Sequence, residues 1–299
     1  MWQVIKAIWQ AIKVWGFRKY YRFISARGWK GKMDPPRWNA LEIPGPAGPI
    51  QARMFSDHSR EDRPLIVYYH GGGHVIGDLD THTPFCHMLH RRSGCNVIAV
   101  DYRLAPEHPF PAAPDDCLAA ARWIAGHIGD FGSSDHRIVL AGDSAGANLA
   151  SVACLEAEPE LREKIAGEVI IYPIVDHYNA GFPSHVERAT GQTLTAKIVV
   201  FFLDTYLGGS EPEGAAAQRA FPLRSDRLAS LPPTFMVTAE FDPLRDEGKA
   251  YSDKLRDAGV SLQYRHFETA AHGFACSEGP NDNFEAMMDD LIAWLDHLD

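Results

Sequence analysis

Short apolar runs recur along the chain and predict the strands of a central sheet. They are Leu65–Tyr69, Val97–Val100, 138–141, 169–171 and 235–238. Each run is too short for a helix, and its apolar residues are continuous, as expected for strands buried on both faces of a parallel sheet. Helical patterns lie between them, for example at 118–124 and 147–157. The alternation predicts an α/β fold with a mostly parallel central sheet flanked by helices.

Two segments do not fit this rhythm and predict a helical cap. In the amino-terminal arm the apolar residues fall on one helical face, which consists of Trp2, Ile5, Trp9, Ile12 and Trp15. The other segment runs from 176 to 214 and has a helical core at 195–207. We therefore expect a cap made of residues 1–45 and 176–214 above an α/β domain made of residues 46–175 and 215–299.

Composition and charge narrow the class of partner. The 299-residue chain is 45% hydrophobic and 23% charged, which is typical of a globular protein with a large core. Its formal net charge is -10, yet residues 1–33 contain eight Lys or Arg residues and no acid. The strongly acidic remainder disfavours nucleic acid as a partner and favours a neutral or apolar small-molecule substrate.

The cysteines and the first residues bear on the compartment. The five cysteines are widely spaced and lack the Cys/His spacing of zinc sites, so we expect neither a disulfide framework nor a metal site. The first residues lack the positive start and the unbroken apolar stretch of a secretory signal. These features predict a cytoplasmic protein.

The strongest chemical signal is the pentapeptide Gly-Asp-Ser-Ala-Gly at 142–146, between the strand run 138–141 and a helical pattern. The two glycines permit a sharp strand-to-helix turn, which exposes the Ser144 hydroxyl at the top of the sheet. The helix that follows directs free backbone N–H groups at developing negative charge. A plain surface turn is the alternative, but this context favours Ser144 as a nucleophile.

A second signal, His-Gly-Gly-Gly at 70–73, follows the strand Leu65–Tyr69. Consecutive glycines let the backbone approach a substrate closely and present two N–H donors to one oxygen. We expect the N–H groups of Gly72, Gly73 and Ala145 to form an oxyanion hole, and His70 to hold the loop. A phosphate-binding loop is the alternative, but no Gly-Lys-Ser/Thr sequence follows.

A serine nucleophile needs a base, and the chain order in folds of this kind is serine, acid, histidine. His272 lies just beyond the apolar-alternating stretch 262–267, in the loop after the last predicted strand, and is the expected base. The rival His266 lies inside that strand.

Asp242 is the expected acid that orients the base, because it lies just past the strand run 235–238, where a loop carboxylate reaches the imidazole. Glu240 and Asp246 compete with it. Asp246 lies a turn into the next helix and is expected to cap or brace. Asp176, after the preceding strand, is a more distant alternative.

These elements, in this order, resemble the bacterial hormone-sensitive lipase family of carboxylesterases, whose motifs read HGGG, GDSAG, DPLxD and HGF. The stretch DYRLAPE at 101–107 resembles a structural segment of the same family, so the resemblance runs from about residue 64 to the carboxyl terminus. It implies an α/β-hydrolase fold, a two-part helical cap, and a metal-free esterase without cofactors that acts on short- to medium-chain acyl esters. In that case Ser144 forms an acyl-enzyme while His272 transfers the proton.

Other functions share this machinery and stay open. They are an amidase or peptidase, an interfacial lipase, and a non-catalytic ligand receptor, the last disfavoured because Ser144, Asp242 and His272 are all present.

The role of the amino-terminal arm and the oligomeric state also stay open. The aromatic and basic arm either walls an acyl pocket, which we favour because a cap must bury its apolar face, or contacts a lipid surface. If 260–267 forms the outermost strand, its free edge predicts a homodimer.

Overall fold

The computed structural model describes residues 2–57, 62–133, 135–190 and 193–298, with side chains described from residue 9 onward. The side chains of Trp2 and Ile5, which the sequence assigns to the apolar face of the arm, lie outside the described residues.

The described residues form an 8-stranded sheet. Its strands are β1 (Asn39–Gly45), β2 (Gly48–Phe55), β3 (Leu65–Tyr69), β4 (Val97–Val100), β5 (Ile138–Asp143), β6 (Ile165–Ile171), β7 (Thr234–Phe241) and β8 (Leu262–Ala271). The order across the sheet is β1-β2-β4-β3-β5-β6-β7-β8, and all pairs from β4 to β8 are parallel. The five predicted apolar runs lie within β3 to β7, and the alternating stretch 262–267 lies within β8, which confirms the mostly parallel sheet.

The antiparallel hairpin of β1 and β2 was not predicted from the sequence. Its strands contain Pro and Gly and alternate between exposed and buried positions, so they lack a continuous apolar run. Because β1 pairs with β2 inside the sheet, residues 39–45 belong to the α/β domain. The boundary expected at residue 45 for the first cap segment is therefore wrong, and that segment ends before residue 39.

Helices cover both faces of the sheet, as the alternating order predicts. The α-helices of the described residues are α1 (Trp2–Trp29), α2 (Leu79–Ser93), α3 (Ala112–Gly126), α4 (Ala145–Glu156), α5 (Pro159–Arg162), α6 (Ser184–Glu187), α7 (Ala196–Tyr206), α8 (Gly214–Ala220), α9 (Arg245–Asp257) and α10 (Asp282–Leu295). The side chains of β3 alternate between two cores: Val67 joins the cluster with α3, α4 and α9, and Ile66 joins the cluster with α2 and α10. The sheet is therefore buried on both faces.

Two helices outside the α/β rhythm meet above the sheet. The predicted helical core at 195–207 is α7, whose Thr195 side chain accepts a hydrogen bond from the N–H of Ile198. Val14 of α1 and Phe202 of α7 share a small apolar cluster with Val75, just after the glycine loop. No helix among the described residues has a stretch long and apolar enough to cross a bilayer.

Candidate active site

Ser144 occupies a sharp turn between β5 and α4. Its backbone has φ 53° and ψ -116°, a left-handed conformation that a non-glycine residue rarely adopts. A Cβ atom on Gly146 would lie 1.9 Å from the carbonyl oxygen of Tyr69, and one on Gly142 would lie 2.3 Å from the Gly146 carbonyl carbon. Both positions therefore require glycine, and the turn holds the Ser144 side chain at the carboxyl end of the sheet.

His272 directly follows β8 and joins Ser144 to Asp242. Its Nε2 lies 3.0 Å from the Ser144 Oγ, and its Nδ1 lies 2.6 Å from the Asp242 Oδ2. Because an ionised carboxylate only accepts hydrogen bonds, Nδ1 carries the proton, and the lone pair of Nε2 faces the serine hydroxyl. The second oxygen of Asp242 accepts the N–H of Leu244 at 2.8 Å, which fixes the carboxylate. The three residues expected from the sequence thus meet in space.

The rival residues are engaged elsewhere. The Nε2 of His266 lies 3.1 Å from a carboxylate oxygen of Glu240. Asp246 accepts a hydrogen bond from the first backbone N–H of α6 at 2.9 Å, so it braces the start of that helix. Asp176 forms an ion pair with Arg224.

Gly72 and Gly73 line the same cavity as Ser144 and His272. Their φ angles are 120° and 62°, so the loop depends on glycine. The N–H groups of these two glycines have no acceptor among the described residues. Ala145 is the first residue of α4, where backbone N–H groups have no partner within the helix. The three expected donors are therefore available to an oxygen beside Ser144.

Asp143 holds the glycine loop against the serine turn. Its Oδ1 accepts hydrogen bonds from the N–H of Gly71 at 2.8 Å and from the hydroxyl of Tyr68 at 2.7 Å, and it lies 3.3 Å from Nε2 of His82. Burial alone raises the pKa of Asp143, but the nearby His82 and the hydrogen bonds outweigh it and hold the pKa below its usual value. A buried carboxylate thus joins the two loops.

His70 supports the same loop from below. Its Nδ1 lies 2.8 Å from the carbonyl oxygen of Gly71, and its ring stacks on Tyr102 with 4.4 Å between centroids. The Tyr102 hydroxyl donates to the His70 carbonyl at 2.6 Å. Burial lowers the pKa of His70 to about 4, so the ring is neutral near pH 7. These contacts agree with the expected structural role.

An apolar cavity of about 130 Å³ opens onto the serine. Helix α1 contributes Phe17, Tyr20, Tyr21 and Ile24, and helix α7 contributes Ile198, Val199, Phe202 and Leu203. Aromatic contacts tie the two helices together, with the ring of Phe17 5.6 Å from that of Phe201. The arm thus forms one wall of the cavity.

Comparison with known proteins agrees with this geometry. The family model described as alpha/beta hydrolase fold matches residues 66–276. The chain belongs to the α/β hydrolase family. Its esterase relatives place it in the hormone-sensitive-lipase-type branch, as the motif resemblance implies.

The relatives of this α/β hydrolase include two proteins of Mycobacterium tuberculosis. Carboxylic ester hydrolase LipN is 40% identical over 78% of this chain and 63% of its own length, and esterase LipI is 39% identical over 78% of this chain and 73% of its own length. The match thus spans slightly less than two thirds of LipN. The solved structure of the Pyrobaculum calidifontis esterase superposes with a TM-score of 0.87 at 36% identity, covering 94% of this chain and 92% of that one.

One group of buried side chains has the donor types of a metal site. His82, Asp143 and Cys276 each place a potential ligand atom within 4.8 Å of the others. Burial raises the pKa of the Cys276 thiol well above its usual value, and Asp143 already accepts the hydrogen bonds described above. A protonated thiol is a poor metal ligand, and the carboxylate oxygen of Asp143 already accepts hydrogen bonds. The three side chains therefore suit hydrogen-bonded packing in the interior better than a metal site.

Sequence reasoning missed two residues that shape this site. Asp143 had a signal, because it lies beside Ser144 in the pentapeptide at the end of a buried strand. His82 had none, since a histidine within α2 comes close to Asp143 only in the folded chain.

Proposed function

We propose that this α/β hydrolase is a carboxylesterase that cleaves short- to medium-chain acyl esters through an acyl-enzyme on Ser144. The observation that carries the proposal is the continuous relay from Asp242 through His272 to the serine hydroxyl, with separations of 2.6 and 3.0 Å. The names of its relatives, carboxylic ester hydrolase and esterase, support the same reaction class.

The mechanism follows from the positions of these groups. His272 takes the Ser144 proton as the oxygen attacks the ester carbonyl, and the N–H groups of Gly72, Gly73 and Ala145 stabilise the resulting oxyanion. His272 then protonates the departing alcohol, which leaves an acyl group on the serine. Water loses a proton to the same imidazole as it attacks this acyl-enzyme, and the acid leaves.

The cavity supports the substrate class. It is small and apolar, and its walls come from α1 and α7, so it suits a short or medium acyl chain better than a charged group. We assign α1 and the 176–214 segment to a cap that sets the depth of this cavity.

The test measures hydrolysis of p-nitrophenyl esters over a series of acyl lengths, with matched p-nitroanilides in parallel. We expect an alcohol burst when deacylation is slow, a preference for short and medium chains, and weak amide cleavage. Ser144→Ala should lower kcat by about 10⁶-fold with folding intact. Unchanged turnover in that variant overturns the assignment, whereas faster amide cleavage makes the protein an amidase. A rate jump when the substrate aggregates makes it an interfacial lipase.

Two further expectations from the sequence stay predictions. Strand β8 is the outermost strand of the sheet, so its free edge supports the proposed homodimer; light scattering that finds only monomer contradicts it. The cytoplasmic location is tested by fractionating the cells that produce the protein.

A further inference from the structure

Helix α1 has a second apolar face that points away from the protein. On the inner side Val14 is buried, at 2% exposure, and Phe17 and Tyr21 line the cavity. On the outer side four large apolar residues are more than half exposed: Trp9 (61%), Ile12 (53%), Trp15 (64%) and Phe23 (61%). Of the seven large apolar side chains that are exposed among the described residues, five lie on α1. Large apolar side chains clustered on a surface mark an interaction site.

Basic side chains share this outer face. Because an α-helix turns by about 100° per residue, Trp9, Ile12, Lys19 and Phe23 fall within an arc of about 80°, and Trp15 lies about 40° beyond it. Lys30 directly follows the last residue of the helix. Lys19 and Lys30 are exposed and form no ion pair with a described residue. The outer face thus combines aromatic and aliphatic side chains with unpaired positive charge.

Two arginines of the helix hold it to the protein. Arg18 pairs with Glu107 at 2.8 Å, and Arg22 pairs with Asp78 at 2.6 Å. Those pairs fasten the inner side of the helix and leave the lysines of the outer face toward solvent. Because all 39 acidic residues of the chain follow residue 33, the arm is a basic surface on an acidic protein.

We propose that the outer face of α1, defined by Trp9, Ile12, Trp15, Lys19 and Phe23, binds the surface of a bilayer that contains anionic lipid. The helix lies in the plane of the interface, where indole and phenyl rings enter the headgroup region and the ammonium groups meet lipid phosphates. Charge complementarity identifies this occupant: the face is basic, whereas the body of the protein is acidic and is repelled by the same surface.

The outer face of α1 is continuous with the cavity that contains Ser144. Tyr20 is 62% exposed beside the outer face and also lines that cavity. A bilayer under α1 therefore brings apolar molecules dissolved in it to the wall of the site. Binding to the bilayer does not depend on the proposed esterase activity, so the two proposals fail separately.

The test is flotation of the full chain with vesicles of phosphatidylcholine alone and of phosphatidylcholine mixed with phosphatidylglycerol, at low and high salt. One variant, Trp15→Ser with Phe23→Ser, removes apolar contacts, and another, Lys19→Glu with Lys30→Glu, reverses the charge. Val186→Ser is the apolar control, because Val186 is 81% exposed but lies on α6, and Arg227→Glu is the charge control outside α1. Thermal unfolding and hydrolysis of a soluble short ester verify that each variant is folded.

We expect the unmodified chain to float with the mixed vesicles and less with phosphatidylcholine alone. The serine variant should lower the partition coefficient about tenfold or more, because two rings no longer leave water. The charge-reversed variant should lose about fivefold or more on the mixed vesicles at low salt only. Both controls should float like the unmodified chain.

Absence of flotation overturns the proposal, as does flotation of both α1 variants at the unmodified level. The unmodified chain could instead fail to bind vesicles and form a dimer in solution. If Trp15→Ser with Phe23→Ser then makes it monomeric, a second copy of the chain covers this face. Ser144→Ala should float normally, so loss of esterase activity and loss of lipid binding are distinguishable.

Discussion

The carboxylate of Asp143 accepts the backbone N–H of Gly71 at 2.8 Å, and this bond links the serine turn to the loop of the expected oxyanion donors. Asp143→Asn keeps the shape but replaces one acceptor oxygen with an amide that donates. We expect the loop to shift and kcat to fall by about tenfold to a hundredfold, since a small misplacement of catalytic groups carries a cost of this order. Steady-state kinetics on a short ester measures the change.

Tyr68→Phe is the control for Asp143. It removes one donor at 2.7 Å from the same oxygen but leaves the bond to Gly71 intact. We expect a loss of stability with a much smaller loss of kcat. Equal kinetic losses in the two variants contradict a specific role for the Asp143–Gly71 bond.

Replacing Asp242 tests which carboxylate orients the base. Asp242→Asn removes the charge 2.6 Å from Nδ1 of His272 and favours the wrong imidazole tautomer, so kcat should fall by about 10⁴-fold. Asp246→Asn is the matched control, because Asp246 braces the start of α6 instead. It should keep kcat within a few-fold of the unmodified protein, and a larger loss there than in Asp242→Asn refutes the assignment.

Gly146 has no room for a side chain. Because an added Cβ would lie 1.9 Å from the Tyr69 carbonyl oxygen, Gly146→Ala must displace backbone. We expect the free energy of unfolding to fall by about 2 kcal/mol or more. In the control Gly126→Ala, the new Cβ meets no atom within 4 Å, so denaturant unfolding should show an unchanged or slightly raised stability.

Glu168 makes stability depend on pH. It is fully buried in β6, where the hydroxyls of Ser151 and Thr234 donate to it at 3.1 and 2.9 Å, and burial raises its pKa from 4.5 to about 7. The folded state therefore retains a proton that the unfolded state releases above pH 4.5. The stabilisation is complete below that pH and is lost as the pH rises through about 7.

Glu168→Gln should abolish this pH dependence, because the amide stays neutral. Between pH 5 and pH 8, the free energy of unfolding of the variant should fall by about 2.5 kcal/mol less than that of the unmodified protein. Urea unfolding at each pH measures it. Glu268→Gln, at an exposed position on β8, is the control and should keep the original slope.

The pattern of apolar residues predicted the parallel strands of the sheet but not the antiparallel hairpin of β1 and β2 at its edge. Continuous apolar runs predicted β3 to β7 because strands buried on both faces carry few polar side chains, and an alternating stretch predicted the half-exposed edge strand β8. The hairpin of β1 and β2 has one covered face and carries Pro44 and Pro49, so no run marked it. The cap boundary was misplaced for the same reason.

By itself, the sequence determined the parallel sheet and that Ser144, Asp242 and His272 each follow a strand, so that the three meet where the carboxyl ends of parallel strands share one edge. Only the tertiary structure decided that Asp143, beside His82, holds the glycine loop and that α1 exposes a second apolar face. These features depend on contacts between residues far apart in the chain, and packing of that kind leaves no local periodicity to detect.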